Sequence, residues 1–256
     1  MSEKSKIPRI VALIPARSGS KRLKHKNVRR LNGHPVIAYT IRAAYSSEIF
    51  TDVVVSTDDS RYAATAKHYG AEAPFLRPAE AATATSPDIE WISFTLNKLR
   101  EVGRQYDCFA ILRPTSPFRN ASTIIRAWSQ FLSDPKIDSL RAVEPCKQHP
   151  GKMWVVKGDR MHPILEQPLD GPPLHSRQTA ALAPIFVQNA SLEISWCHNV
   201  FQDRSISGKI IMPFLTEGYE GEDLNDERDW RHVTSIAESE PNMLPTIDRP
   251  PFSEGL

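Results

Sequence analysis

Long apolar runs are missing from this 256-residue chain, and nothing in it approaches the roughly 20 consecutive apolar residues that a membrane-spanning helix needs. The lead segment Met1-Ser2-Glu3-Lys4-Ser5-Lys6 carries no apolar stretch of the secretory kind, so secretion and membrane partners are not expected. Cysteine is scarce as well: Cys108, Cys146 and Cys197 are odd in number and far apart, matching neither a zinc pattern nor a disulfide framework. A reducing, cytoplasmic setting follows. An excess of one charge sign is also lacking, since 32 basic and 30 acidic residues leave a net charge of +2, and bulk electrostatics give no reason to expect nucleic acid as a partner. Any positive potential must be local.

It is concentrated in one place. The run Ile10-Val11-Ala12-Leu13-Ile14 is short, rich in β-branched residues and uncharged, which reads as a strand buried on both faces. Pro15-Ala16-Arg17-Ser18-Gly19-Ser20-Lys21 and Lys24-His25-Lys26-Asn27 follow at once. Backbone N–H groups in such a turn can form an anion-binding concavity, to which Arg17, Lys21 and Lys26 add charge. The spacing fits neither a P-loop nor the Gly-x-Gly-x-x-Gly fingerprint, which argues against an ATPase and a dehydrogenase. Taken alone, the loop also fits a solvated basic turn.

Strand-like and helix-like patterns alternate through the first half, the signature of an α/β fold with a three-layer, doubly wound, mainly parallel sheet. Pro35 opens a helix with Ile37, Ile41 and Ala44 on one face, 52–56 is a second buried strand, and 60–69 a helix closed by Gly70. Ser86-Pro87-Asp88 predicts a helix start with Ser86 as N-cap. Residues 108–112 and 139–143 are further strands, and Asn120 caps the helix between them. From 145 to 184 the period loosens into a small inserted β-rich lobe. Strands at 185–194 and 208–214 rejoin the sheet, and 227–237 is a last helix. One domain is thus expected over 7–238, followed by a proline-rich, extended tail over 239–256.

In open α/β sheets ligands bind beyond the carboxyl ends of the strands. Arg17 to Asn27, Thr57-Asp58-Asp59 and Arg113-Pro114-Thr115-Ser116-Pro117-Phe118-Arg119 each follow a predicted strand and therefore share one rim. Each has a structural alternative: Asp58 or Ser60 as a helix cap, Ser86 as an N-cap, Thr115 to Pro117 as a tight turn. His25 reads either as an acid/base group or as a solvent-facing loop residue.

The segments Ile14 to Lys21, Lys26-Asn27, Leu76-Arg77-Pro78-Ala79-Glu80 with Thr85-Ser86, and Leu112 to Arg119 together resemble the CMP-sialic acid synthetase (acylneuraminate cytidylyltransferase) family. Arg113 stands where that family commonly has Gln. The resemblance implies a nucleotide-diphospho-sugar transferase-like fold and CTP held by Arg17, Ser20, Lys21 and Lys26 on the phosphates, with Asn27 and Ser86 near the nucleoside. The acceptor it implies is a nonulosonic acid of the N-acylneuraminate type, whose anomeric 2-hydroxyl attacks the α-phosphorus and expels pyrophosphate. Legionaminic, pseudaminic and KDO synthetases, or a non-catalytic nucleotide-binding regulator, are the alternatives.

Mg²⁺ is the expected cofactor. Glu222 to Trp230 is similar to the family's Asp-Ile-Asp-x-x-x-Asp-Trp segment with Asn225 in place of the second Asp, so the implied ligands are Asp223 and Asn225. Asn225 or Asp226 also reads as the cap of the last helix. Arg17, Lys21, Lys26 and Asp223 form the implied catalytic set. For the sugar acid, Arg113, Thr115, Ser116, Gln178, Phe186, Gln188 and Asn189 are the candidates, in segments where Ala190 replaces the family's Gly and Glu193 its Tyr. The 145–184 lobe resembles a dimerisation region, which implies a symmetric homodimer.

Overall fold

The computed structural model describes residues 7–83 and 85–253. The lead segment 1–6 and the end of the proline-rich tail, 254–256, lie outside the described residues. In chain order the elements are β1 (Ile10–Pro15), β2 (Arg30–Leu31), β3 (His34–Pro35), α1 (Val36–Ser46), β4 (Asp52–Ser56), α2 (Ser60–His68), α3 (Asp88–Glu101) and β5 (Cys108–Ile111). There follow α4 (Ala121–Leu132), β6 (Ser139–Pro145), β7 (Trp154–Lys157), β8 (Arg160–Pro163), β9 (Phe186–Trp196), α5 (Cys197–Gln202), β10 (Ile211–Leu215) and α6 (Glu227–Ser239).

Six strands form one sheet in the order β10-β6-β9-β5-β1-β4. β1 pairs in parallel with both β4 and β5, while β5 pairs antiparallel with β9. Side chains of a strand alternate between faces, and β1 displays this directly. Ile10, Ala12 and Ile14 pack with Ile37 and Ile41 of α1, Tyr62 of α2 and Phe131 of α4. Val11 and Leu13 pack on the other side with Trp91, Ile92 and Leu96 of α3 and Val200 of α5. Helices therefore cover both faces, and the α/β three-layer class expected from the alternating pattern is the observed one.

Three helix starts sharpen the sequence reading. Asp59, between the two candidates, caps α2 by accepting from the Arg61 amide at 2.8 Å. Asp226 caps α6 in a box with Asp229. Ser86 caps nothing: its hydroxyl donates to the Glu80 carbonyl at 2.7 Å and its amide to Thr83 Oγ1 at 2.9 Å, so Pro87 takes the N-cap position and α3 begins at Asp88. The Ser-Pro-Asp pattern was outcompeted by a local turn.

The described chain separates into two compact units, a large one made of residues up to Ala142 and from Asn189 onward, and a small one, Val143–Gln188. The small unit contains the β7–β8 hairpin, which turns through Gly158 and Asp159 with φ +60° on the glycine. Its apolar side chains are largely uncovered, with Val156 68%, Met161 55% and Phe186 47% exposed. The tail as far as residue 253 is strapped to the large unit: Asp248 pairs with Arg42 at 3.2 Å, and the Phe252 amide donates to Tyr69 Oη at 3.2 Å.

Candidate functional site

The loops following β1 and β5 enclose, with the segment between α2 and α3 and the start of α3, a cavity of about 250 Å³. Six expected site residues line it: Arg17, Lys26, Asn27, Ser86, Arg113 and Thr115. Asn27 is buried and its amide donates to the Arg17 carbonyl at 3.1 Å, fixing the first loop where it leaves the sheet. The Asp58 carboxylate accepts from both the amide and the hydroxyl of Ser18 at 2.8 Å each, tying the first loop to the second. A larger cavity of about 440 Å³ lies at the amino-terminal end of β5, among Arg100, Tyr106 and Trp196, and none of these loops lines it.

The cations around the smaller cavity divide into two kinds. Lys26 Nζ donates to the Leu224 carbonyl at 3.2 Å, and burial lowers its proton affinity while the Asp223 carboxylate acts against that. Among the described residues Arg17 meets only the Gly19 carbonyl, at 3.4 Å. Arg77, buried and stacked 4.9 Å from the Trp91 ring, donates to Ser56 Oγ at 3.2 Å and Ser56 O at 2.8 Å. Burial brings its pKa down to about 10, so it remains charged at neutral pH. Arg113 differs: it is salt-bridged to Asp88 and, at 3.1 Å, to Glu193, which in turn lies 3.1 Å from Arg141. Burial works to lower the Arg113 pKa, but the two carboxylates outweigh it and raise it.

Other expected residues sit apart from the cavity lining. Lys21 is exposed. Ser20 Oγ and Ser116 Oγ are buried without partners among the described residues. Asn189 belongs to the large unit and engages Thr216 Oγ1 at 2.9 Å. Gln178, Phe186 and Gln188 belong to the small unit, where all three are exposed. His25 does not line the cavity, and its Nδ1 is hydrogen-bonded to Tyr62 Oη at 3.0 Å.

Among the described residues no group of three or more His, Cys, Asp or Glu side chains is arranged to hold a metal. One feature does fit Mg²⁺, which takes few protein ligands beside phosphate oxygens and water: Asp223 Oδ1 is buried with no partner. Asp223 Oδ2 accepts from Asn225 Nδ2 at 2.7 Å, and Asn225 Oδ1 accepts from Arg22 at 3.2 Å. As placed, Asn225 orients Asp223, whose other oxygen alone stays free.

Sequence reasoning passed over Arg77 and Asp88 as site residues, and it placed Asp58 on the rim with helix capping as the alternative. The Leu-Arg-Pro run flagged Arg77 as motif only; the signal for its role is a charge with no carboxylate in contact.

A cluster of cations at the carboxyl edge of a doubly wound sheet makes this an α/β protein with a site suited to an anionic ligand. The cytidylyltransferase family model matches residues 11–133. The CMP-N,N'-diacetyllegionaminic acid synthase of Legionella pneumophila is 34% identical over 233 residues, 90% of this chain and 97% of that protein. An N-acylneuraminate cytidylyltransferase of Escherichia coli is 47% identical over 119 residues, 46% of this chain but 27% of that longer protein. In fold, a solved CMP:2-keto-3-deoxy-manno-octonic acid synthetase superposes with a TM-score of 0.68 at 15% identity, covering 91% of this chain and 99% of that one. The chain belongs to the cytidylyltransferase family of the CMP-sialic acid synthetase type, and it is an enzyme of that class.

Proposed function

We propose that this enzyme transfers CMP from CTP to the anomeric 2-hydroxyl of a nonulosonic acid of the N-acylneuraminate type, with release of pyrophosphate. The observation that carries this reading is the trio Arg17, Lys26 and Arg77, which line one cavity and meet only neutral acceptors. Three cations whose hydrogen bonds go to neutral acceptors are stabilised further by a polyanion, and a triphosphate supplies one. Their charge is worth most when the α-phosphoryl group is in flight and its equatorial oxygens carry the developing charge. Asn27 and Asp58 keep the loop in shape, so little rearrangement is needed at that moment. Mg²⁺ bound at the free oxygen of Asp223 would share in neutralising the phosphates. CTP is a cytosolic metabolite, in keeping with three free thiols, and among the described residues no helix is long and apolar enough to cross a membrane.

A pyrophosphate-release screen crossing the four nucleoside triphosphates with N-acetylneuraminate, diacetyllegionaminate, diacetylpseudaminate and KDO tests the reading. CTP with at least one nine-carbon acid is the expected productive pair. Silence with every acid, or preference for another nucleotide, counts against it.

The uncovered apolar side chains of Val143–Gln188 support a symmetric dimer closed through that unit. Light scattering at micromolar concentration is expected to give twice the chain mass; the mass of one chain would contradict the dimer.

A further inference from the structure

The ion pair at the cavity wall carries a proposal about proton transfer, and it rests on the reaction proposed above. Arg113 points one guanidinium nitrogen at two carboxylates, Asp88 and Glu193. Glu193 is 7% exposed and also faces Arg141, so it is locked between two arginines. Asp88 is the freer of the two: 31% of its side chain is exposed, and it is the only carboxylate among the residues lining the cavity. Trp91 Nε1 donates to its Oδ1 at 2.8 Å, which keeps the carboxylate aimed when the other oxygen is released.

The acceptor's chemistry supplies the rest. In a 2-keto sugar acid the carboxylate and the reacting hydroxyl are attached through the same carbon. An arginine that holds the carboxylate therefore brings the hydroxyl within a few ångströms of that arginine's own counter-ion. We propose that the acceptor carboxylate replaces Asp88 on Arg113 and that the released Asp88 is the general base that takes the 2-hydroxyl proton. In the step the O–H bond breaks and its proton goes to the Asp88 carboxylate. The hydroxyl oxygen forms a bond to the α-phosphorus, the bond from that phosphorus to the bridging oxygen breaks, and its electron pair leaves with pyrophosphate.

The exchange also makes Asp88 a better base when it is needed. Burial acts to raise its pKa, but Arg113, its hydrogen bond, Trp91 and Arg77 together hold it below the ordinary carboxylate value. When an acceptor carboxylate shares the guanidinium, the restraint from Arg113 weakens and burial is left to act. The charged groups facing Asp88 across the cavity are Arg113 and Arg77, with Glu193 behind Arg113 and with Arg17 and Lys26 on the same wall.

The test is steady-state pyrophosphate release by the full-length chain with CTP, Mg²⁺ and the best acceptor of the screen, over a range of pH, beside calorimetric binding of CTP. Asp88→Asn is expected to lower kcat about 100-fold or more, the ordinary contribution of a general base. It should keep CTP affinity within about twofold and lose the acid limb of the kcat profile, with Asp88→Glu restoring part of the rate. Arg113→Gln frees Asp88 of its main restraint in the free enzyme, so the acid limb of the kcat/KM profile is expected at higher pH than in the wild type. Wild-type-like turnover by Asp88→Asn overturns the proposal alone, as does an acid limb that Arg113→Gln leaves in place. A fall in kcat matched by lost CTP binding reassigns Asp88 to structure and overturns it too. Absence of turnover by the wild type with every acceptor overturns the underlying reaction, and this step with it.

Discussion

Replacing Arg17 with alanine is expected to lower turnover about 1,000-fold, in the range seen when an arginine that stabilises a phosphoryl transition state is removed. Its thermal transition should hardly move. The two halves of this expectation have separate grounds. Arg17 is half-buried and makes one long contact, 3.4 Å to the Gly19 carbonyl, so the fold loses almost nothing with it. The loop is held instead by Asn27 on the Arg17 carbonyl and by Asp58 on Ser18, neither of which needs the guanidinium. Turnover depends on the side chain because it is one of three cations lining the cavity with only neutral partners. Arg17→Lys should recover part of the rate, since an ammonium keeps the charge but not the planar fork that can bridge two phosphate oxygens. Pyrophosphate release beside a thermal melt decides it; near-normal turnover of a folded Arg17→Ala protein would remove the first loop from the site.

Much of this architecture was legible because it is local. A short run of β-branched residues bounded by polar ones reads as a buried strand, and 52–56 is β4 to the residue. The rim of three loops follows from strand polarity alone. What stayed hidden depends on which distant segment arrives. Asp58 and Asp59 are adjacent acids before a helix, and nothing local tells which one caps it. The fold decides, because Ser18 approaches from 40 residues away and takes Asp58, leaving Asp59 for the Arg61 amide. Arg113 and Glu193 are each visible as departures from the family's Gln and Tyr, yet 80 residues separate them. The antiparallel register of β5 and β9, with Ile111 opposite Glu193, brings the two together. Read singly they look like two losses of pattern; in the fold they form one ion pair. For the same reason Arg113 is a poorer free anion clamp than its charge suggests, since an incoming carboxylate must compete with two that are already there.

Asp223→Ala is expected to match the effect of Arg17→Ala, about 1,000-fold in kcat/KM, or about 4 kcal/mol of transition-state stabilisation. The reasoning starts from an imbalance: a buried carboxylate oxygen without a partner is costly, and Asp223 Oδ1 is one. Neighbouring residues aim Asp223 without satisfying it. Asn225 donates to its other oxygen, Arg22 holds Asn225, and Lys26 is fastened to the carbonyl of Leu224 next door. A side chain held by so many hands with one oxygen left free is suited to a hard cation that takes its remaining ligands from phosphate and water. Asp223→Asn separates this from a purely structural role. It preserves size and hydrogen bonding but removes the charge, so the Mg²⁺ concentration giving half-maximal rate should rise about tenfold or more while the melting temperature stays near that of the wild type. A fall in stability with the Mg²⁺ titration unchanged would make Asp223 a brace for the α6 entrance, and the cation would have to be held by the phosphates alone.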